Sequence, residues 1–221
     1  MDKERLFDYL FTQDVAMLLE VLGVAYDEMT YDQRDVVFGQ YAEALPPGEV
    51  DGATLQDDVE LFHTQSLAGA YYAPFALNSR NFMHIPEETK EWFGQLGDLL
   101  AASGQLTAQG AHEHAVACFG LLYELIGGLE QGDEIVFGDE VGSWMIPGNE
   151  QEYTASYLTS LAATTTPEEF TAVVLPLLRR DSRQNFVALA YPSAIRVATE
   201  EQRAHLDAEV QRQGIRTGRD S

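Results

Sequence analysis

The chain has 221 residues, 45% hydrophobic and 10% aromatic, which is enough apolar material for a sizeable core and too much for a disordered chain. Its 36 Asp and Glu against 13 Lys and Arg give a formal charge of −23, which excludes a conventional nucleic-acid binder that works through phosphate contacts. A lone cysteine, Cys118, excludes an internal disulfide framework and a Cys-rich zinc module and points to a reducing, cytoplasmic setting.

In residues 3–22, Phe7, Phe11, Leu18 and Leu22 adjoin Leu6, Leu10, Met17 and Val21, the double stripe of an amphipathic helix that Gly23 is expected to stop. Asp8 and Asp14 interrupt the apolar run that a secretory signal would need. Thr30 with Gln33 forms a capping-box pattern opening a second helix toward Leu45, which Pro46, Pro47 and Gly48 close. A third helix runs from about Ala53 through Leu55, Val59 and Phe62.

Residues 71–86 break this pattern with aromatics, amides and two prolines, and read as an ordered loop. Pro86, Glu87 and Glu88 suit a helix start, predicting a helix through Trp92, Phe93, Leu96 and Leu99 to Gly104. The clearest periodicity spans Thr107 to Leu129, where Ala115, Phe119, Leu122, Ile126 and Leu129 share one side. The run Ile135-Val136-Phe137, followed by Trp144, is the one strand candidate, either a short β-hairpin near 133–146 or an ordered loop. Further helices are expected from about Glu150 to Ala163, from the Thr166-Pro167-Glu168-Glu169 cap, and from the Thr199-Glu200-Glu201-Gln202 cap. Pro176 and Pro192 are expected to kink or divide their helices.

The implied fold is all-α, an irregular stack of antiparallel helical hairpins forming one domain over 1–213, with a subdivision near 71–86 and a frayed tail at 214–221. No run reaches the roughly 18 apolar residues of a membrane span. Charge is uneven: residues 1–178 hold 30 acids and 5 bases, while 179–221 hold 8 Arg and 6 acids. The tail arginines are expected to lie against acidic neighbours of the same molecule.

Three stretches carry a resemblance: Tyr71 to Ser79 running into Ile85-Pro86-Glu87-Glu88-Thr89, Gly132 to Phe137, and Gly142-Ser143-Trp144-Met145-Ile146. They resemble a group of uncharacterised all-helical bacterial proteins. The small-then-large texture of Gly110 to Gly127 is similar to tetratricopeptide and HEAT-like hairpins, without the strict repeat. The resemblance implies a helical fold and a bacterial cytoplasmic origin, and it carries over no activity, cofactor or site residue.

Gly-rich phosphate loops, Gly-x-Ser-x-Gly and His-Glu-x-x-His are absent from the sequence. His112 and His114 point about 200° apart on a helix and cannot share one ion by that spacing. His114 with Cys118 at i, i+4 is better placed, with His63 or His84 as further zinc ligands, although a histidine beside a buried thiol is the plainer reading. Asp133, Glu134, Asp139 and Glu140 flank the 135–137 run, either as a cation or basic-partner site or as a solvated rim over a plug of Ile135, Phe137 and Trp144. Tyr71, Tyr72, Phe75, Asn78, Asn81 and His84 combine aromatic anchors with hydrogen-bonding groups in the 71–86 loop.

With Asp133, Glu134, Asp139, Glu140 and Trp144, these loop residues form the candidate interaction surface. The expected function is a non-enzymatic interaction or scaffold module whose acidic surface takes a basic protein or peptide, with no cofactor, no direct nucleic acid and no membrane. The alternatives are an acidic nucleic-acid mimic and a metal-dependent sensor or enzyme.

Overall fold

The computed structural model describes residues 2–27, 29, 31–42, 48–76, 84–138, 141–183 and 190–215. Among these the protein is all-α, with ten helices, one short 3₁₀ turn and no strand. The 133–146 hairpin alternative is therefore corrected: the segment is a turn through Ile135 followed by a 3₁₀ turn at Ser143–Met145. Two compact units divide the chain at 46/47, and each is described by itself.

In the first unit, α1 spans Lys3–Leu10, α2 Val15–Asp27 and α3 Tyr31–Ala42. The single helix expected over 3–22 is two. Asp14 accepts from the Met17 N–H at 2.9 Å and so begins a new helix, while Thr12 Oγ1 donates to the Tyr9 carbonyl at 2.7 Å and satisfies the end of the old one. Gly23 does not stop α2, which runs four residues further; an interior glycine costs about 1 kcal/mol but ends a helix only when it adopts a capping conformation. The Tyr26 and Phe38 rings meet at 5.4 Å, and the Arg34 guanidinium lies 4.7 Å from the Tyr26 ring centre, tying α2 to α3.

The second unit holds α4 (Gly52–Leu67), α5 (Glu87–Gln109), α6 (His112–Gln131), α7 (Glu150–Thr164), α8 (Pro167–Arg183), α9 (Ala190–Val197) and α10 (Glu200–Gln213). Asp51 caps α4 by accepting from the Thr54 N–H at 2.8 Å, which also holds its carboxyl below the usual range. The helix expected from Thr107 begins at His112, because Gly110 takes φ +79° and ends α5 with the Ala111 N–H bonded to the Leu106 carbonyl. Gly104, expected to end α5, lies inside it, and Leu106, with no exposure, gives the helix another buried turn. The two-residue link makes α5 and α6 an antiparallel hairpin.

Helix α6 is the centre of this unit, flanked by α4, α5 and α7, while α7 also meets α5 and α9, and α8 packs on α10. Trp92, Leu96, Phe119, Leu122, Leu158 and Phe170 have no exposure, and each such side chain contributes about 1.5–3 kcal/mol by leaving water. Two buried polar side chains show how such groups are paired. Trp92 Nε1 donates to Ser66 Oγ at 2.8 Å, and Gln202 Nε2 donates to the Ala162 and Thr165 carbonyls at 3.2 and 2.9 Å, closing the end of α7. The Thr199 and Gln202 capping box forms as the sequence reads. Pro176 neither ends nor divides α8, and Pro192 sits in the first turn of α9, where a missing N–H costs nothing.

Candidate functional site

The two loops singled out in the sequence come together. The Phe137 ring meets Phe75 edge-on at 5.2 Å and Tyr72 at 5.8 Å, and Phe75 meets His84 at 5.3 Å. Thr89 Oγ1 donates to the Phe137 carbonyl at 2.7 Å and anchors the turn to α5. Tyr72 hydroxyl donates to Glu134 Oε1 at 3.4 Å, and the phenol's pKa is raised by desolvation, with the carboxylate adding to it. Tyr71 is buried, its ring 5.6 Å from Phe62 and its hydroxyl donating to Gln95 at 2.9 Å. The rings fill the space between one another, so this cluster is a plug. Asp133, Glu134 and His84 stand exposed at its rim; Asn78, Asn81, Asp139 and Glu140 lie outside the described residues.

Trp144 does not belong to that plug. Ile135 and Val136 are buried, but Trp144 is 71% exposed. The 3₁₀ turn turns its middle residue outward while Met145 and Ile146, which follow it, pack on the core.

Trp144 instead stands beside an open groove of about 1020 Å³ between α6, the 141–144 segment and α8. Gly120, Tyr123, Glu124, Gly127 and Gln131 form the α6 wall, a helix face beside the bulky stripe of Phe119, Leu122 and Ile126 and opened by two glycines. Tyr123 and Tyr157 stack at 5.4 Å with ring planes 14° apart. Tyr123 hydroxyl shares a 2.8 Å hydrogen bond with Thr154 Oγ1. Burial pushes the Tyr157 phenol up to about 12 and Tyr123 further still.

Charge in the groove is mostly compensated. Arg180 Nε donates to Glu130 at 2.8 Å and Nη1 donates to Glu150. Burial works against the Arg180 charge, and Glu150 and Glu130 more than offset it. Its Nη2 is enclosed with no acceptor. Of the tail arginines, Arg180 and Arg212 lie on acidic neighbours, Arg212 pairing with Glu209 at 2.6 Å, whereas Arg179 donates to Gln213 and Arg203 to the Ala198 carbonyl. Glu124, 64% exposed, faces only His63, at 3.4 Å, on a side where no fixed cation meets it among the described contacts.

The zinc grouping does not assemble. His114 Nδ1 lies 3.0 Å from Gln56 Oε1, and Cys118 has no exposure, with burial pushing its thiol up to about 11. Among the described residues no three His, Cys, Asp or Glu gather where a metal ion could be held.

Sequence reasoning missed the groove residues Tyr123, Glu124, Tyr157 and Arg180. The available signal was Gly120, Tyr123, Glu124 and Gly127 at helical spacing, a face that two glycines open around one aromatic ring. Among the described residues no helix is long and apolar enough to cross a membrane. No protein family, curated protein or solved structure matches this chain.

Proposed function

We propose that the second unit is a protein-interaction module that receives a basic segment of a partner in the groove between α6 and α8. The observation that carries this reading is Trp144, a large aromatic ring held 71% exposed beside a groove whose floor is the Tyr123 and Tyr157 stack. Exposed indole beside a concave surface is the usual anchor of a recognition site. An indole face and a nearby carboxylate, Glu124, together favour a Lys or Arg side chain. The overall charge of −23 draws such a partner in.

The module needs no catalysis. The Cys118 thiol is buried and held protonated, and the Tyr123 phenol is locked to Thr154, so neither is poised as a nucleophile or base.

The test is titration of the full chain with Lys- and Arg-rich peptides, followed by isothermal titration calorimetry. Binding should weaken at least about tenfold on Trp144→Ala and several-fold on Glu124→Gln. It should also fall as salt rises, since exposed charges are screened beyond about 10 Å at 0.1 M. Binding that ignores both substitutions and salt would remove the reading.

A further inference from the structure

Thirteen of the sixteen large apolar side chains left exposed among the described residues lie in the first unit, so the exposure there is a surface and not scattered residues. Its best-ordered part is on α2. Val15, Leu19, Leu22 and Tyr26 recur at i, i+4, i+7 and i+11 and are 71, 63, 49 and 42% exposed. They fall within an arc of about 60° and make a strip about 16 Å long, three turns of one helix face. That spacing is the one by which a helix receives the apolar face of another helix.

The charges around the strip say which kind of helix. Residues 1–46 carry ten acids and three bases; α2 has no Lys or Arg and Asp14 begins it, while Arg34 of α3 lies over the Tyr26 ring at the far end of the strip. A second copy of the chain would bring the same −23 against it, and an anionic bilayer would be repelled in the same way. A helix with an apolar stripe bordered by Lys and Arg meets both the strip and its rim.

We propose that the Val15, Leu19, Leu22 and Tyr26 strip of α2 is a second docking surface, distinct from the groove, for a basic amphipathic helix of a partner protein. The partner's apolar residues at i, i+3 or i+4 and i+7 pack on the strip, and its basic flanks meet the net negative charge of residues 1–46, with Asp14 at the start of α2. The occupant gains helix on binding, because a short amphipathic peptide is only marginally helical alone.

The test uses the full chain and three synthetic probes: a short Leu/Lys amphipathic helix, a Leu/Glu helix of the same pattern, and the Leu/Lys composition scrambled so that no stripe forms. Only the first should bind, with a gain in helical circular dichroism. The double substitution Leu19→Asn with Leu22→Asn should weaken it at least about tenfold; both residues are exposed, so the fold should be kept, and unchanged far-ultraviolet dichroism of the free variant checks this. Equal binding of the Leu/Glu helix or the scramble would overturn the proposal, since nothing specific would then be read. Binding abolished by Trp144→Ala but not by the α2 pair would assign the probe to the groove instead. Self-association of the free chain that Leu19→Asn abolishes would give the strip to a second copy. Binding to anionic vesicles in place of the Leu/Lys helix would give it to a membrane. Slow amide exchange of residues 15–26 in the free monomer, with no probe binding, would show the strip already covered.

Discussion

Helices α2 and α6 are both rich in apolar residues, yet they sit at opposite extremes of burial. In α6, Ala115, Cys118, Phe119 and Leu122 have no exposure, and α4, α5 and α7 surround it. In α2, none of residues 15–26 is buried. Apolar content is enough to make a helix, but it does not by itself bring neighbours with complementary faces. Helix α6 has them because α5 offers Trp92, Leu96 and Leu100 on one face and a two-residue link sets that face against it.

The sharpest way to break this contrast is truncation on each helix. Phe119→Ala should cost about 3–5 kcal/mol, since a ring leaves a cavity among residues that cannot collapse into it. Leu22→Ala on the exposed strip should change stability by less than about 0.5 kcal/mol. Denaturant midpoints of the full chain measure both, and a Leu22→Ala cost approaching that of Phe119→Ala would show that α2 is covered after all.

Alkaline pH should act first on the buried helix. The Cys118 thiol is pushed up to about 11 from an ordinary value near 9. Between those values the unfolded thiol has released its proton and the folded one has not. Stability that is fully present below pH 9 should therefore fall by at most about 1.4 kcal/mol per pH unit up to about pH 11. Tyr157, held at about 12, and Tyr123 extend the decline upward from their ordinary value near 10. Midpoints measured from pH 8 to 11 should fall in the native sequence and fall less steeply in Cys118→Ala; equal slopes would remove the thiol from the account.

A smaller effect belongs to the hairpin that supports α6. A Cβ at Gly97 of α5 would come 3.0 Å from the Pro147 ring, which leads into α7. A ring cannot swing aside as a flexible side chain does, so Gly97→Ala should cost about 1–3 kcal/mol through displacement of the 141–149 segment. An unchanged melting midpoint would mean that this segment yields freely.

Local chemistry explains what could be read beforehand. The Thr199 and Thr166 caps, the Pro86 boundary and the α6 stripe depend on residues within a turn or two of each other, and the structure reproduces them. Gly23 and Gly104 misled because a glycine inside a helix differs from a C-cap only in φ, which spacing does not reveal. Ile135 and Trp144 read alike as apolar loop residues, and only the turn at Ser143–Met145 separates a buried side chain from an exposed one. The groove depends on residues from α6, α7 and α8 that are dozens of positions apart. Its one local trace, the two glycines of α6, is indistinguishable in sequence from close helix packing.

The two tryptophans carry the contrast down to single side chains. Trp92 has no exposure, stacks 5.9 Å from Phe62 and donates to Ser66, whereas Trp144 is 71% exposed. Acrylamide should therefore quench one part of the native emission readily and leave the other nearly untouched. Trp144→Phe should remove the readily quenched part and shift the unfolding free energy by less than about 0.5 kcal/mol, because little apolar area is lost from the interior. A cost above about 1 kcal/mol, or a quenchable fraction that survives the substitution, would place the Trp144 ring in the core. The groove would then have no anchor at its mouth, and the binding reading would have to move to the Tyr72, Phe75 and Phe137 plug with its Glu134 rim.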